Sequence, residues 1–223
     1  MNRIRFLARR CCWSAAVFGC ALFSFLLALR VTAPVGAGYP GTNGKIVFAS
    51  WRTGNGDIYV MDADGSNLEL IHTSTAEDIL PAWSPQGDTL AFRSGTGIYL
   101  MDQDGNNVRA LVDNGSAPSW SPDGQRIVFE RNDGGVIGDI YVINVNGSGL
   151  TPLASHSERE MAPAWSPDGS KIAYHRKVGE VNAESHVMNA DGTDTPRLTT
   201  NPAQAYYPDW SPDGSRIVFV STR

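Results

Sequence analysis

From residue 44 onward the apolar positions fall in short runs of three to six residues, separated by clusters of Gly, Pro, Asp, Asn and Ser. Runs of this length bounded by turn residues predict β-strands. No stretch there carries apolar residues at the 3.6 spacing of a long helix, so a helical solenoid is excluded. In Ile58-Tyr59-Val60-Met61 and in Ile127-Val128-Phe129, successive residues point to opposite faces of a strand, yet nearly all are apolar. Such strands need cover on both faces.

The runs repeat. The phrase PAWSPQGDTLAF begins at Pro81, PSWSPDGQRIVF at Pro118, PAWSPDGSKIAY at Pro163 and PDWSPDGSRIVF at Pro208, at intervals of 37, 45 and 45 residues. Interleaved with it are IYVMDADG from Ile58, IYLMDQDG from Ile98, IYVINVNG from Ile140 and SHVMNADG from Ser185. Self-similarity at this period marks a supersecondary unit used repeatedly. Each unit divides into four strands; in the third they are Ser116 to Trp120, Arg126 to Glu130, Asp139 to Ile143 and Leu150 to Leu153. Ser-Pro-Asp-Gly turns the first strand into the second, with proline presetting φ and glycine accepting a positive φ. Asp-Gly or Asn-Gly turns the third into the fourth. Four-stranded sheets covered on both faces by copies of themselves are the blades of a β-propeller. The expected fold is therefore all-β, a propeller of about four and a half blades, with Trp83, Trp120, Trp165 and Trp210 wedged between neighbours.

The pattern P-x-W-S-P-D-G-x-x-I-x-F followed by I-Y-V-M-N-x-D-G resembles the WD-like propeller repeats of TolB-type exported proteins, and it covers nearly everything from Gly44 to Arg223. The resemblance implies a propeller, export and a protein-binding role in the cell envelope, without specifying the partner. TolB itself pairs a six-bladed propeller with a small α/β domain, and no segment here resembles the latter. The expected units are about 44–80, 81–117, 118–162 and 163–207, with a partial unit at 208–223. The first supplies three strands, the next three are complete, and the last supplies two. A truncated product, an open arc or completion by another chain would each account for this, and an unclosed edge would favour self-association.

The N-terminus is of a different kind. Arg3, Arg5, Arg9 and Arg10 precede an uncharged run from Cys11 to Leu29, followed by Arg30 and Val35-Gly36-Ala37. Residues 1–37 thus read as an export signal cut after Ala37 or, uncut, as a membrane anchor through residues 11–29. Either way the remainder is expected outside the cytoplasm, in the periplasm or beyond the cell. All three cysteines lie in this leader, so the exported part depends on its core and can form no disulfide. The chain's net charge is -5. Without the leader's five arginines the rest holds 13 basic against 23 acidic residues. That acidity excludes nucleic acid as the expected partner, and membrane contact is expected only through an uncut leader.

Candidate chemistry is sparse. Ser166 and Asp168 sit in a strand-to-strand turn, not in the G-x-S-x-G elbow of a serine hydrolase. The D-x-D-G runs lack the spacing of a calcium loop. His72, His156, His175 and His186 show no metal-ligand spacing; His186 takes the place of Tyr59, Tyr99 and Tyr141. No catalytic residue, cofactor or metal is therefore expected. Function is sought in the loops that a rigid scaffold displays. The connections between second and third strands vary most: Arg93 to Gly97 is brief, whereas Glu130 to Asp139 and His175 to Glu184 are longer. Arg131, Asn132, Asp133, His175, Arg176, Lys177 and Glu180 are the candidate partner-binding residues on those loops. The leading expectation is a non-enzymatic scaffold for a protein or envelope polymer. The alternative is the propeller of an enzyme system, such as a peptidase gate or a carbohydrate-active protein, or a truncated product without independent function.

Overall fold

A computed structural model describes residues 44–132, 138–154, 158–179, 182–200 and 203–223. The expected leader, with its apolar run 11–29, lies outside the described residues. Among the described residues no helix is long and apolar enough to cross a membrane. All regular structure is β, in five antiparallel sheets. The first holds β1 (Ile46–Ser50), β2 (Asp57–Met61) and β3 (Glu69–His72). The second holds β4 (Asp78–Trp83), β5 (Thr89–Ser94), β6 (Gly97–Asp102) and β7 (Arg109–Val112). In the third are β8 (Gly115–Trp120), β9 (Arg126–Arg131), β10 (Asp139–Asn144) and β11 (Thr151–Ala154). The fourth contains β12 (Arg159–Trp165), β13 (Lys171–Val178) and β14 (Asn182–Asn189); the fifth contains β15 (Ala205–Trp210) and β16 (Ile217–Ser221). Within each sheet, strands follow chain order, as in a meander.

The core lies between sheets, as strands apolar on both faces require. Ile58 of the first sheet packs with Leu90, Phe92 and Met101 of the second. Ala91, Ile98 and Leu100 of the second pack with Trp120, Ile127 and Phe129 of the third. Val128, Ile140 and Val142 of the third pack with Trp165, Ile172 and Tyr174 of the fourth. Leu90-Ala91-Phe92 splits its side chains between two of these clusters, so removing either neighbouring sheet would expose half the strand. The tryptophans bridge the sheets polarly as well. The indole N–H of Trp83 donates to the Lys45 carbonyl, that of Trp120 to Ala82 and that of Trp210 to Ala164, each at 3.1 Å. Burying one such side chain contributes roughly 4 to 6 kcal/mol on transfer areas.

The fourth sheet departs from expectation. Its fourth strand is reduced to a bridge between His186 and Arg197. The cause is side-chain competition: the Thr199 hydroxyl takes the Ser185 N–H, and the Thr199 hydroxyl and Arg197 guanidinium both bind the Glu184 carboxylate. Those bonds replace rungs that a regular ladder would use.

Candidate functional site

The Trp-Ser-Pro turns are architectural down to the serine hydroxyl. Ser166 Oγ donates to Asp168 and accepts the Lys171 N–H at 2.9 Å, while Gly169 at φ +70° donates to the Ser166 carbonyl. The hydroxyl, together with the Ser170 N–H, holds the Asp168 carboxyl below its ordinary value. Ser121 and Ser211 repeat the arrangement with Asp123 and Asp213. At Ser84, where Gln86 replaces the aspartate, Asp88 accepts the hydroxyl instead. Ser166 is buried and engaged on both sides, with no histidine at its oxygen among the described residues.

The innermost strands β4, β8, β12 and β15 line a cavity of about 1220 Å³. Each carries a left-handed, non-glycine residue where its pairing register breaks: Leu80, Ala117, Ala162 and Tyr207, at φ 54°, 50°, 49° and 51°. A proline follows each one. Those prolines offer no N–H, so the cavity floor is apolar and poor in backbone donors. Leu80 is 44% exposed and Tyr207 64% exposed.

Polar chemistry collects at one end of this cavity, and it comes from two aligned positions. The residue ten after the tryptophan is Arg93, Glu130 and His175 for Trp83, Trp120 and Trp165, and Val220 for Trp210; of the residues six before a tryptophan, Asn114 and Arg159 matter here. Arg93, Glu130, His175, Asn114 and Arg159 all line the cavity. Arg159 of the fourth sheet reaches Glu130 of the third at 2.8 Å, tying two blades together across the mouth. His175 is 2% exposed and sits edge-on to the Tyr206 and Tyr207 rings, at 5.5 and 5.3 Å. Its Nδ1 accepts the Tyr207 N–H at 3.4 Å. Burial, reinforced by the nearby Arg159 charge, pushes the imidazole down to about 4, so it is neutral at pH 7. Arg93 Nε donates to the Gly95 carbonyl at 2.8 Å. Asp209 occupies a lining position held by Ala82, Ser119 and Ala164 in the other repeats, and loss of solvation raises its carboxyl above the ordinary range.

The residues expected on loops are placed differently from one another. His175, Arg176 and Lys177 lie on β13, which pairs with β14 as far as Val178 opposite Asn182, so the long connection is mostly an extended hairpin. Backbone pairing carries it: Arg176, Lys177 and Val178 stand opposite Glu184, Ala183 and Asn182, while Arg176 binds buried Glu160 of β12 at 2.7 Å on the other side. His175 faces the cavity lining and Arg176 the blade interior, while Lys177 is exposed. Arg131 closes β9 with its guanidinium 5.4 Å above the Tyr141 ring. Asn132 is exposed, donates its N–H to the Asn114 carbonyl and lines the cavity. Asp133 and Glu180 lie outside the described residues. The structure thus brings Asn132 and His175 to one cavity and separates Arg176 from them. Arg93, Glu130, Arg159, Tyr207 and Asp209 join them there without having been singled out. Their signal was present: each is a non-repeating residue in an otherwise repeating frame.

Among the described residues no three His, Cys, Asp or Glu side chains stand together in a way that could hold a metal. His186 is buried and stacked on Tyr174, with ring centroids 5.5 Å apart, as its alignment with tyrosines implied.

Antiparallel sheets that share tryptophan-centred cores and line a cavity with their innermost strands define a β-propeller repeat protein. The sequence model of the TolB beta propeller domain matches residues 96–223, and the chain belongs to that family. Over 52 residues it is 40% identical to the TolB homolog of Chlorobaculum tepidum, covering 23% of this chain and 12% of that one. Over 80 residues it is 38% identical to an uncharacterised protein of Agrobacterium fabrum, covering 30% and 27%. Among solved structures, TolB from Acinetobacter baumannii superposes with a TM-score of 0.69 at 23% identity, over 82% of this chain and 48% of that one. A TolB-like protein from Agrobacterium tumefaciens gives 0.65 at 25% identity, over 81% and 64%. An oligogalacturonate lyase in complex with manganese shares the fold at 15% identity, with a TM-score of 0.64. The chain spans less than two thirds of the length of each of these relatives.

Proposed function

We propose that this chain is an exported, non-enzymatic binding scaffold that receives a protein partner of the cell envelope at the polar mouth of its inner cavity. The observation that carries this reading is the mouth itself. A guanidinium, a carboxylate and an imidazole occupy one repeat position in three successive blades, where the scaffold around them is constant. Membership of the TolB propeller family supports export and a protein partner. Ser166, the residue most suggestive of hydrolysis, is engaged on both sides in a turn, which supports a binding role over a catalytic one.

Site-specific photo-crosslinking tests the reading. A crosslinker at position 96 or 132 in the expressed full chain should capture a discrete envelope protein, and the same probe at Asp64, on an outer hairpin, should not. Equal capture at all three positions, or none at the mouth, would refute it. Cell fractionation should place the chain outside the cytoplasm.

A further inference from the structure

The arginines of this protein are mostly spent. Arg159 is tied to Glu130, Arg176 to Glu160 and Arg197 to Glu184; Arg126 and Arg52 lie over aromatic rings. Arg93 differs. It lines the cavity, pairs with no carboxylate among the described residues, and makes one hydrogen bond, from Nε to the Gly95 carbonyl. That bond fixes the plane of the guanidinium and leaves both terminal nitrogens without a protein acceptor. A planar fork anchored at Nε with both terminal nitrogens free suits a carboxylate met end-on. In a chain of net charge -5, a positive group left unpaired in a cavity would draw an anionic ligand locally against the charge of the whole.

What surrounds Arg93 narrows the class. Thr96, Asn114 and Asn132 share the lining with Arg93, and Trp83, Pro118 and Trp120 line it further along the innermost strands, toward the opposite strand ends. Prolines on the innermost strands remove N–H groups that an added strand would need, so an occupant is held by its side chains. A peptide with one carboxylate and an apolar neighbour needs few polar partners here, whereas the many hydroxyls of a sugar chain would each need one. Resting on the reading of this mouth as the partner-binding site, we propose that Arg93 receives a carboxylate of an acidic peptide segment whose neighbouring apolar side chain lies on the Trp83 and Trp120 floor.

Titration calorimetry on the full chain tests this with three probes: acetyl-Leu-Glu-Leu-Glu-amide, its glutamine counterpart, and trigalacturonate. The wild type should prefer the acidic peptide over the glutamine peptide by tenfold or more. Arg93→Gln should abolish that preference, and Arg93→Lys, which keeps charge without the fork, should retain part of it. Circular dichroism confirms that both variants remain folded. The proposal is overturned if the two peptides bind alike, if Arg93→Gln keeps the preference, if trigalacturonate binds as tightly as the acidic peptide, or if the folded wild type binds no probe. Photo-crosslinking separates the two levels. A partner captured equally by wild type and Arg93→Gln removes the role of Arg93 alone, whereas no capture by the wild type removes the scaffold reading.

Discussion

Two glycines occupy the same place in successive blades and should respond very differently to one added methyl group. Gly65 closes the turn from β2 to β3 and Gly105 the equivalent turn from β6 to β7, at φ +86° and +80°, and they donate to the carbonyls of Asp62 and Asp102 at 2.9 Å. Alanine in that conformation costs about 1 to 2 kcal/mol on its own. At Gly65 nothing lies within 4 Å of the new Cβ, so that cost is the whole effect. At Gly105 the Cβ would stand 1.9 Å from the carbonyl oxygen of Ile71 and 2.9 Å from its carbon. An ordinary carbon–oxygen contact is about 3.3 Å, so about 1.4 Å must be found by moving backbone. Ile71 lies on β3 and packs against the Ile58 and Phe92 cluster, so it cannot retreat without opening the first core. Gly105→Ala should therefore cost at least about 2 kcal/mol more than Gly65→Ala, placing it among the exceptional single substitutions. Urea denaturation of the two variants measures the difference. The pair Gly192 and Gly147 repeats the experiment, since a Cβ at Gly192 would meet the Leu153 carbonyl oxygen at 2.3 Å and one at Gly147 meets nothing. If the members of each pair lose stability equally, the hairpin turns do not press on the preceding blade as described.

Burial pushes the His186 imidazole down to about 4 from an ordinary 6.5, with the Arg176 charge acting in the same direction. The unfolded chain then takes up a proton below pH 6.5 that the folded chain refuses until about pH 4, so stability falls as pH drops through that window and is unaffected above it. His186→Tyr, matching the aligned tyrosines, should remove about 2 to 3 kcal/mol of the loss between pH 7 and pH 4.5, read from denaturant midpoints at both values; an unchanged difference refutes the burial argument. Trp120→Phe should cost about 1 kcal/mol more than Trp165→Phe, because the Trp120 indole N–H has the Ala82 carbonyl while the buried Trp165 N–H has no acceptor. The opposite order in chemical denaturation would contradict that. Glu160→Ala should destabilise by about 1.5 to 3 kcal/mol by removing the buried carboxylate from the Arg176 guanidinium, which keeps its Tyr174 contact. Adding Arg176→Met should recover much of it, and a loss below about 1 kcal/mol for the single variant would show the pair to be solvated.

The strands and their turns were legible because they rest on local chemistry. Expected Ser116 to Trp120 and Arg126 to Glu130 correspond to β8 and β9, within a residue at each end, since the Ser-Pro-Asp-Gly turn fixes where one strand stops and the next begins. Double-sided apolar strands implied cores between sheets, and the three clusters lie there. Two expectations failed where cross-strand contacts override the local pattern. The missing fourth strand of the fourth sheet follows from Glu184 capturing Arg197 and Thr199, residues 13 and 15 positions away. The long connection after His175 became a hairpin because Arg176, Lys177 and Val178 continue the backbone ladder with Glu184, Ala183 and Asn182, a cross-strand pairing invisible to turn chemistry. The cavity mouth was legible only in part, through Asn132 and His175. Its residues come from four sheets, and their meeting depends on how blades stack.

Repetition also separates what the scaffold needs from what a ligand needs. Four non-glycine residues at positive φ beside a cavity would, in a single-copy protein, suggest strain kept for function. Here Leu80, Ala117, Ala162 and Tyr207 hold the same conformation at the same step of four strands, beside quite different chemistry, so the strain belongs to the way an innermost strand bends. Arg93, Glu130 and His175 argue the other way. They share one backbone position and one surrounding, yet supply a cation, an anion and a neutral imidazole. No single packing demand selects all three. Arg159 answers the charge of Glu130, and the two tyrosine rings answer His175. Arg93 has no such answer within the described chain, and a group that the scaffold neither requires nor satisfies is where an external carboxylate would be met.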